Sequence, residues 1–596
     1  MRTSDNIIRN NIGVKEILLW RLSTAVVWSV ISQIFILTLF LAIVNLNILH
    51  PIDGLSIVFN TIFSWRTVFY LVPLAGITFA QGVICSKEYI SGNPFLSTRF
   101  AIIINLLSIR SIILCGLHTL SGLMTVWLYL TLLQIQNYNS IVKICANGLL
   151  KCLNEPNLFL TISGLWIGFY YFIKEHLVSA KNIFFPVIEQ NPFLQIKSTM
   201  FNLFSTSIFN ASLPIGYYLL LFYVYGGYLR NYVLSLSYLE FEDQPLDSIQ
   251  GLFQPTLILC AWLFASLFVF TMSSMELLFK VNLTRQHNFP ITTPSTTVLT
   301  LSEAICLGKL PIIQHLACLD LFKLAANDMA RRASIFTLSQ PGGHPYNWNS
   351  IVTASLCLIN DYTESLQQVT TEEIIEPNVP KKLDPPQSFT KSYEPLIPSP
   401  NSKSINYEPT VYRLRNMGCT KYPEQTQDFG ETMEIIQKKY PLTDLLNKIR
   451  TKIQGYLNSI PGVNYFFGEL RDAKIKYILS QGQPIVWTVQ GLSMLASKSY
   501  FEDSYGIVHK DLPAIITSLV RLSQCLEKIS KTTSIALTRK TSSREQYYGQ
   551  MQTTLKSAVK RSLYNVCNTF GPFINEFSLP TDVKLQVMTF MVKKDV

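Results

Sequence analysis

The sequence predicts an all-α membrane protein, a six-span transmembrane helical bundle followed by a cytosolic α-helical region. Of its 596 residues, 48% are hydrophobic and only 15% are charged, a balance too apolar for an ordinary soluble protein. Six charge-free intervals precede Arg285, and each is long enough to hold a spanning helix. Beyond Arg285 the apolar residues recur at helical spacing, and no alternation typical of strands is sustained.

The first interval is the clearest. No charged residue occurs between Arg21 and Asp53, and Thr24–Leu46 is almost entirely apolar. About 20 apolar residues cross a hydrocarbon core about 30 Å thick. The segment is too long for the apolar part of a cleavable signal peptide, and no small-residue cleavage site follows it. It therefore predicts a retained first span.

The other five intervals are shorter or less uniform. The predicted spans within them are Val68–Ile84, Ile112–Leu133, Leu158–Ile173, Ser207–Tyr228 and Leu257–Met275. Another charge-free run, 333–360, lies after Arg285 and contains Pro, Gly, Asn and Gln residues. The backbone groups of such a segment would have no hydrogen-bond partners in lipid. Lack of charge alone therefore does not define a span.

Six spans place both termini on one side of the membrane, and the Lys/Arg bias of short loops indicates which side. The N-terminus and the second and fourth loops carry ten Lys/Arg, whereas the first, third and fifth loops carry four. The sequence therefore predicts both termini in the cytosol or nucleoplasm, with the odd-numbered loops in a lumen or outside.

Two features of the spans and loops are candidates for structural roles. Of eleven cysteines, only Cys145 and Cys152 fall in a loop predicted on the oxidising side, where either a disulfide or two free thiols is possible. Gly164 and Gly168 form a GxxxG pattern in the fourth span, which favours close helix packing or self-association but is also a frequent chance match.

The chain divides by composition into five segments. These are the cytosolic N-terminus 1–21, the transmembrane domain 22–285, a membrane-proximal helical segment 286–371, a proline-rich linker 372–432 expected to be disordered, and a C-terminal α-helical domain 433–596. The net charge is +11, of which the part after Arg285 carries +7. This is either an ordinary solvated surface or a surface for anionic lipid headgroups.

No catalytic or cofactor motif stands out. The sequence contains no phosphate-binding GxxxxGK[ST] and no HExxH, and no Asp, Glu, Lys or Arg lies at a span centre. His315 and Cys318 have a ligand-like spacing, but no second pair completes a metal site. We therefore predict no enzyme activity, no cofactor, no metal site and no direct contact with nucleic acid.

A stretch between two predicted helices carries a resemblance. The segment from Phe336 to Trp348 follows the paired arginines Arg331 and Arg332 and contains SQPGGHPYNW. It is similar to a stretch of the pore-membrane nucleoporin family named for the nuclear division cycle. Other matching pieces occur in order along almost the whole chain outside 372–432. They include Trp20-Arg21, His50-Pro-Ile52, Cys152-Leu-Asn-Glu155, Phe185-Pro186, Pro245-Leu-Asp247, Phe289-Pro290 and Gly506-Ile-Val508.

The resemblance implies a structural protein that anchors the nuclear pore scaffold where the inner and outer nuclear membranes join. Its implied partners are the lipids of the pore membrane, inner-ring scaffold nucleoporins and the WD-repeat nucleoporin Aladin. The alternative from the spans alone is a six-span transporter or channel with a regulatory tail.

The SQPGGHPYNW stretch is expected to be a compact turn between helices 312–330 and 349–368, or else a partner contact. Glycines tolerate positive φ, prolines limit the backbone, and tryptophan is a large group to bury. The residues concerned are Ser339, Gln340, Pro341, Gly342, Gly343, His344, Pro345, Asn347 and Trp348.

Overall fold

The fold is described from a computed structural model of the whole chain. The residues it describes are 2–45, 51–91, 95–96, 98–133, 138, 140–145, 151–178, 185, 191–237, 239–241, 245–292, 299–308, 310–338, 340, 342–375, 465, 467–468, 473–532 and 543–592. These residues are overwhelmingly helical, as the sequence predicts. The predicted linker 372–432 lies outside them, apart from the last four residues of a helix that ends at Ile375.

The N-terminal half supplies the spans. Its helices are α1 Arg2–Val44, α2 Pro51–Ile62, α3 Trp65–Ser91, α4 Arg99–Leu106, α5 Ile109–Leu133, α6 Glu155–Phe172, α7 Pro192–Ser237, α8 Ile249–Leu252 and α9 Pro255–Thr284. Within the described residues, α1, α3, α5, α6, α7 and α9 are long and apolar enough to cross a membrane. The predicted six spans are therefore confirmed in number and order.

The fifth span differs most from its prediction. The sequence predicts Ser207–Tyr228, but α7 runs over 46 residues from Pro192 to Ser237. At about 1.5 Å per residue this helix is about 69 Å long. The charged residues Lys197 and Arg230 bracket the predicted span, but a helix does not have to end at a charged residue, and α7 continues past both. Pro214 lies inside α7 without ending it.

Helix α9 holds the bundle together. It contacts α1, α3, α5, α6 and α7, and it buries Ala261, Phe264, Phe268 and Met272 among them. The small and aromatic residues alternate around α9, so several neighbours pack against it at once.

Three glycines bring α5 and α6 into close contact. A Cβ atom on Gly164 would lie 2.8 Å from the carbonyl oxygen of Gly122. A Cβ on Gly122 would collide with the Gly164 carbonyl, and one on Gly168 with the His118 carbonyl. The GxxxG pattern thus packs α6 against α5 of the same chain, as small residues allow in membrane helices.

The C-terminal half is a helical domain. Its helices are α10 Leu301–Ile305, α11 Pro311–Asn327, α12 Met329–Ile335, α13 Tyr346–Ile375, α14 Ala473–Ser480, α15 Gly482–Glu502, α16 Leu512–Thr532, α17 Ser543–Phe570 and α18 Thr581–Val592, with 3-10 turns at Val508–Lys510 and Gly571–Glu576. The helix predicted at 312–330 ends at Asn327, because Asp328 caps a new helix by accepting a hydrogen bond from the Arg331 amide at 3.1 Å.

The described parts of segments 286–371 and 433–596 share one hydrophobic core. Helix α11 packs against α15, and α13 packs against α16, so that side chains such as Leu316, Ile359, Val489 and Ile516 are buried together. Val14 and Leu18 of α1 and Leu283 of α9 belong to the same core. The ends of two spans are therefore built into the helical domain. We call this end of the bundle the domain side and the opposite end the far side.

We predict that Gly122→Ala destabilises the bundle and that Gly116→Ala on the same helix does not. Both changes gain about 1 kcal/mol of helix propensity. Only Gly122 faces another backbone, whereas a Cβ on Gly116 meets nothing within 4 Å. Overpacking of this kind costs about 1–3 kcal/mol. Thermal unfolding of the two full-length variants in one detergent measures the difference, and equal melting would mean that α5 and α6 do not pack this closely.

Candidate functional site: the junction between the spans and the helical domain

Arg21 joins the first span to the end of the sixth. Its Nη1 donates to the carbonyl oxygen of Leu283 at 2.8 Å, and its Nη2 donates to that of Gln286 at 3.3 Å. The last carbonyls of a helix have no partner within the helix, and the helix C-terminus favours positive charge. One guanidinium on α1 therefore caps α9.

A buried carboxylate, Asp320, contacts the segment that follows α9. Asp320 on α11 has no exposure to solvent. Its Oδ1 and Oδ2 each accept a hydrogen bond from Arg331 at 2.8 Å, and Oδ2 accepts a third from the Phe289 amide at 2.9 Å. Arg331 also donates to the Phe289 carbonyl at 2.7 Å. The hydrogen bonds to Asp320 raise the pKa of Arg331. This cluster attaches the segment that leaves α9 to α11 and α12.

The next residue, Arg332, connects α12 to α15 in the later part of the domain. Arg332 is buried, and its Nε and Nη2 donate to the two carboxylate oxygens of Glu502 at 3.0 and 2.9 Å. Its Nη1 donates to the carbonyls of Leu324 and Ala325 at the end of α11. The pair with Glu502 raises the pKa of Arg332. Two consecutive arginines thus tie α12 to the exit of the spans and to α15.

The SQPGGHPYNW stretch forms the connection between α12 and α13. Gly342 has a φ of 75°, in the left-handed region that favours glycine. The Gly343 amide donates to the Gln340 carbonyl at 2.8 Å, and the Asn347 amide side chain donates to the Ser334 carbonyl at 2.9 Å. Ser339 and Pro341 lie outside the described residues.

Trp348 connects this turn to the C-terminal helices. It is fully buried, its ring centroid lies 5.9 Å from that of Phe336, and its indole Nε1 donates to Asp511 at 2.8 Å. Gln340 and His344 are exposed and Pro345 is half-buried. The predicted set therefore divides into inward residues that connect helices and outward residues on the domain surface.

A second cluster closes the far side of the bundle. Cys145 and Cys152 are joined by a disulfide across the short antiparallel hairpin Val142–Ile144 and Lys151–Leu153. Glu240 continues the hairpin from the end of α7, since the Leu153 amide donates to its carbonyl at 2.9 Å. The sequence predicts no strands here, because three-residue strands carry too little pattern to detect.

An ion cluster lies beside the hairpin. Glu155, at the start of α6, is fully buried and pairs with Arg230 of α7 at 2.9 Å. Arg230 also pairs with Asp247 at 3.2 Å, and the Leu246 amide donates to Glu155 at 3.0 Å. In the sequence, Glu155 and Asp247 stand out only as parts of the motifs that match the nucleoporin family. The pairing with Arg230 spans 75 residues and has no local signal.

His315 and Cys318 are core residues of α11. The His315 ring stacks on Phe185 with centroids 5.5 Å apart, and its Nδ1 lies 2.6 Å from the Pro311 carbonyl. Burial lowers the pKa of His315 from 6.5 to about 4, so the imidazole is neutral at physiological pH. Burial also raises the pKa of the Cys318 thiol to about 12. Over the described ranges, no group of three or more His, Cys, Asp or Glu side chains is arranged to hold a metal ion.

The fold and the junction define a class of protein, a six-span integral membrane protein whose span ends are built into an all-α domain. The family model described as "Nucleoporin protein Ndc1-Nup" matches residues 16–586. The chain belongs to this family and is a transmembrane nucleoporin of the nuclear pore complex.

Three relatives match over nearly their full lengths. Nucleoporin NDC1 of Mus musculus is 25% identical, with 97% of each chain covered. Nucleoporin Ndc1 of Drosophila melanogaster is 26% identical, covering 97% of this chain and 98% of its own. Nucleoporin NDC1 of Homo sapiens is 24% identical, with 97% of each chain covered.

We predict that Gly342→Val destabilises the helical domain and that Gly308→Val does not. Neither position crowds a Cβ within 4 Å, so the difference isolates the positive φ of Gly342. A left-handed conformation costs a residue with a Cβ about 1–2 kcal/mol, and a β-branched residue at least that. Thermal unfolding of the full-length variants measures it. An equal fall in melting temperature for both variants would show that the turn does not depend on the positive φ of Gly342.

Proposed function

We propose that this nucleoporin is a non-enzymatic anchor that holds the nuclear pore scaffold in the pore membrane, and that it thereby supports pore assembly and nucleocytoplasmic transport. The observation that carries the proposal is the junction. Core residues Val14, Leu18 and Leu283 belong to spans, yet they are buried with the helices of the domain. A force applied to the domain would therefore reach α1 and α9 directly, without an intervening linker.

The buried ion pairs strengthen this argument. Pulling the segment that leaves α9 away from the domain would remove the Phe289 amide from Asp320 and the Phe289 carbonyl from Arg331, and both buried groups would lose a hydrogen bond. A buried charged group that loses a hydrogen bond costs at least about 1–3 kcal/mol. A rigid attachment suits an anchor better than a tethered regulatory tail.

We propose that the domain side, with both termini, faces the cytosol and nucleoplasm. The ten-to-four bias of Lys/Arg supports this orientation. The bonded pair Cys145 and Cys152 lies on the far side, which would then be the oxidising lumen of the nuclear envelope.

We further propose that scaffold docking uses the surface around the SQPGGHPYNW turn. Trp348 and Asp511 join this turn to the loop after α15, and Arg332 and Glu502 hold the start of that loop. Two aromatic residues are exposed here: Phe501 in the last turn of α15 at 85%, and Tyr505 in the loop that follows at 65%. Aromatic residues are enriched in protein interfaces. The proposed partners are inner-ring scaffold nucleoporins and Aladin, alongside the lipids of the pore membrane.

The orientation predicts which epitopes are accessible. Tags placed at Asp5 and after Val596 should both bind antibody when only the plasma membrane is permeabilised. A tag placed after Ser140 in the third loop should require permeabilisation of the nuclear envelope. Protection of either terminal tag would contradict the proposed sidedness.

The docking proposal predicts a loss of partners without a loss of folding. Replacing Phe501 and Tyr505 with Ser in the full chain should leave its melting temperature unchanged, because both side chains are exposed. Recovery of inner-ring nucleoporins with the purified protein should fall by about ten-fold, the effect of about 1.4 kcal/mol at an interface. Tyr564→Ser with Phe573→Ser is the matched control, since these aromatics are also exposed but lie on α17 and the following turn. Unchanged recovery in the first variant would place docking elsewhere.

A further inference from the structure

Most of the described side chains of the short helix α4, Arg99–Leu106, are exposed. Thr98 caps its start by accepting a hydrogen bond from the Ala101 amide at 3.1 Å. The sequence RFAIIINL then presents Phe100, Ile102, Ile103 and Ile104 outward, and Leu107 continues the apolar surface. Ile104 is 52% exposed and Leu107 is 67% exposed. Such a concentration of exposed aliphatic side chains is unusual in water.

Helix α4 is held next to the end of α3 and the start of α5, the second and third spans. Leu107 and Ser108 form the turn after α4, and α5 begins at Ile109 without a linker. Beside it, Arg110 Nη2 donates at 2.6 Å to the carbonyl of Ile84, the last residue of the apolar stretch of α3. Helix α4 therefore lies at the domain-side ends of the second and third spans.

The helical domain holds α4 at its N-terminal end. The Arg99 guanidinium lies 3.9 Å above the ring centroid of Tyr465, and its Nη1 donates to the Tyr465 carbonyl at 3.1 Å. The Phe100 ring lies 4.4 Å from that of Phe467. The charged end of α4 thus faces the domain, while the aliphatic residues that follow are left uncovered.

We propose that α4 lies in the membrane interface of the domain-side leaflet, with Ile103, Ile104 and Leu107 among the acyl chains of phospholipids. An apolar helix with its charge at one end and exposed aliphatic side chains is suited to this position. The occupant is lipid rather than a protein partner because the exposed apolar surface continues from Leu107 into the third span, where Ile109, Ile112 and Ile113 of α5 are also exposed. The domain would then be attached to the bilayer at α4 as well as through α1 and α9. This placement does not depend on scaffold docking or on which compartment the domain faces.

The test maps lipid contacts on the full-length protein. The protein is reconstituted into phosphatidylcholine vesicles that contain a trace of phosphatidylcholine with a photoactivatable diazirine in one acyl chain. After irradiation, trypsin cleavage at Arg99 and Arg110 releases peptide 100–110, which contains α4. Fragmentation separates adducts on 100–107 from those on Ile109. Peptide 545–556 of α17 is the control for solvent, and peptide 111–143, which contains the rest of α5, is the control for insertion.

We expect adducts on 100–107 to exceed those on 545–556 by about ten-fold and to approach those on α5. Adducts at the level of 545–556, with α5 labelled normally, would overturn the proposal and assign the uncovered surface of α4 to a protein partner.

A double variant, Ile103→Asn with Ile104→Asn, tests the named side chains. It should reduce adducts on 100–107 by about five-fold while labelling of α5 stays unchanged. Leu585→Asn, at an exposed aliphatic residue of α18, is the matched control and should change neither. Undiminished labelling of the double variant would overturn the assignment of Ile103 and Ile104. If the variant fails to insert, the map of the unsubstituted protein decides.

Discussion

A carboxylate without access to water requires partners, and at Asp320 those partners define the junction. Arg331 supplies two hydrogen bonds and the Phe289 amide a third, so one side chain ties together α11, α12 and the segment that leaves α9. An uncompensated buried charge is strongly destabilising. The backbone of Phe289, in the segment that leaves α9, is therefore held against α11 and α12 by hydrogen bonds to both members of this buried pair. The neighbouring Arg332 extends the constraint to Glu502 and hence to α15.

This constraint explains why the division into a membrane anchor and a soluble tail does not describe the molecule. Leu18 on α1 and Leu283 on α9 are buried with domain residues such as Leu316 and Val489. The residues that make this core lie in four separate parts of the chain. Each part alone would expose an apolar face, and only their assembly at the end of the bundle covers all of them.

The sequence predicts those features that depend on the thickness of the bilayer or on a local motif. Span number follows from apolar length, and the glycines at 164 and 168 followed from their spacing. The partners of those residues did not follow. Gly122 completes the contact between α5 and α6, but a lone glycine in an apolar helix carries no signal of what it meets. Likewise Trp348 was expected to be buried, whereas its hydrogen bond to Asp511 depends on a fold that brings together residues 163 apart. The break between α11 and α12 does have a local signal, because Asp328 is a favourable N-cap residue for a helix that begins at Met329.

The placement of charge suggests how the bundle resists being pulled apart. Lipid tails are as apolar as the helix surfaces, so burial in the bilayer gives little drive for spans to associate. Close packing at Gly122, Gly164 and Gly168 and around α9 supplies contact in the interior. At the two ends, Arg21 caps α9 on the domain side and Arg230 joins α6 to the loop before α9 on the far side. Because both ends are closed by charged hydrogen bonds, a load on the domain would be carried by α1 and α9 through to the far side, and would not simply draw single helices out of the bundle.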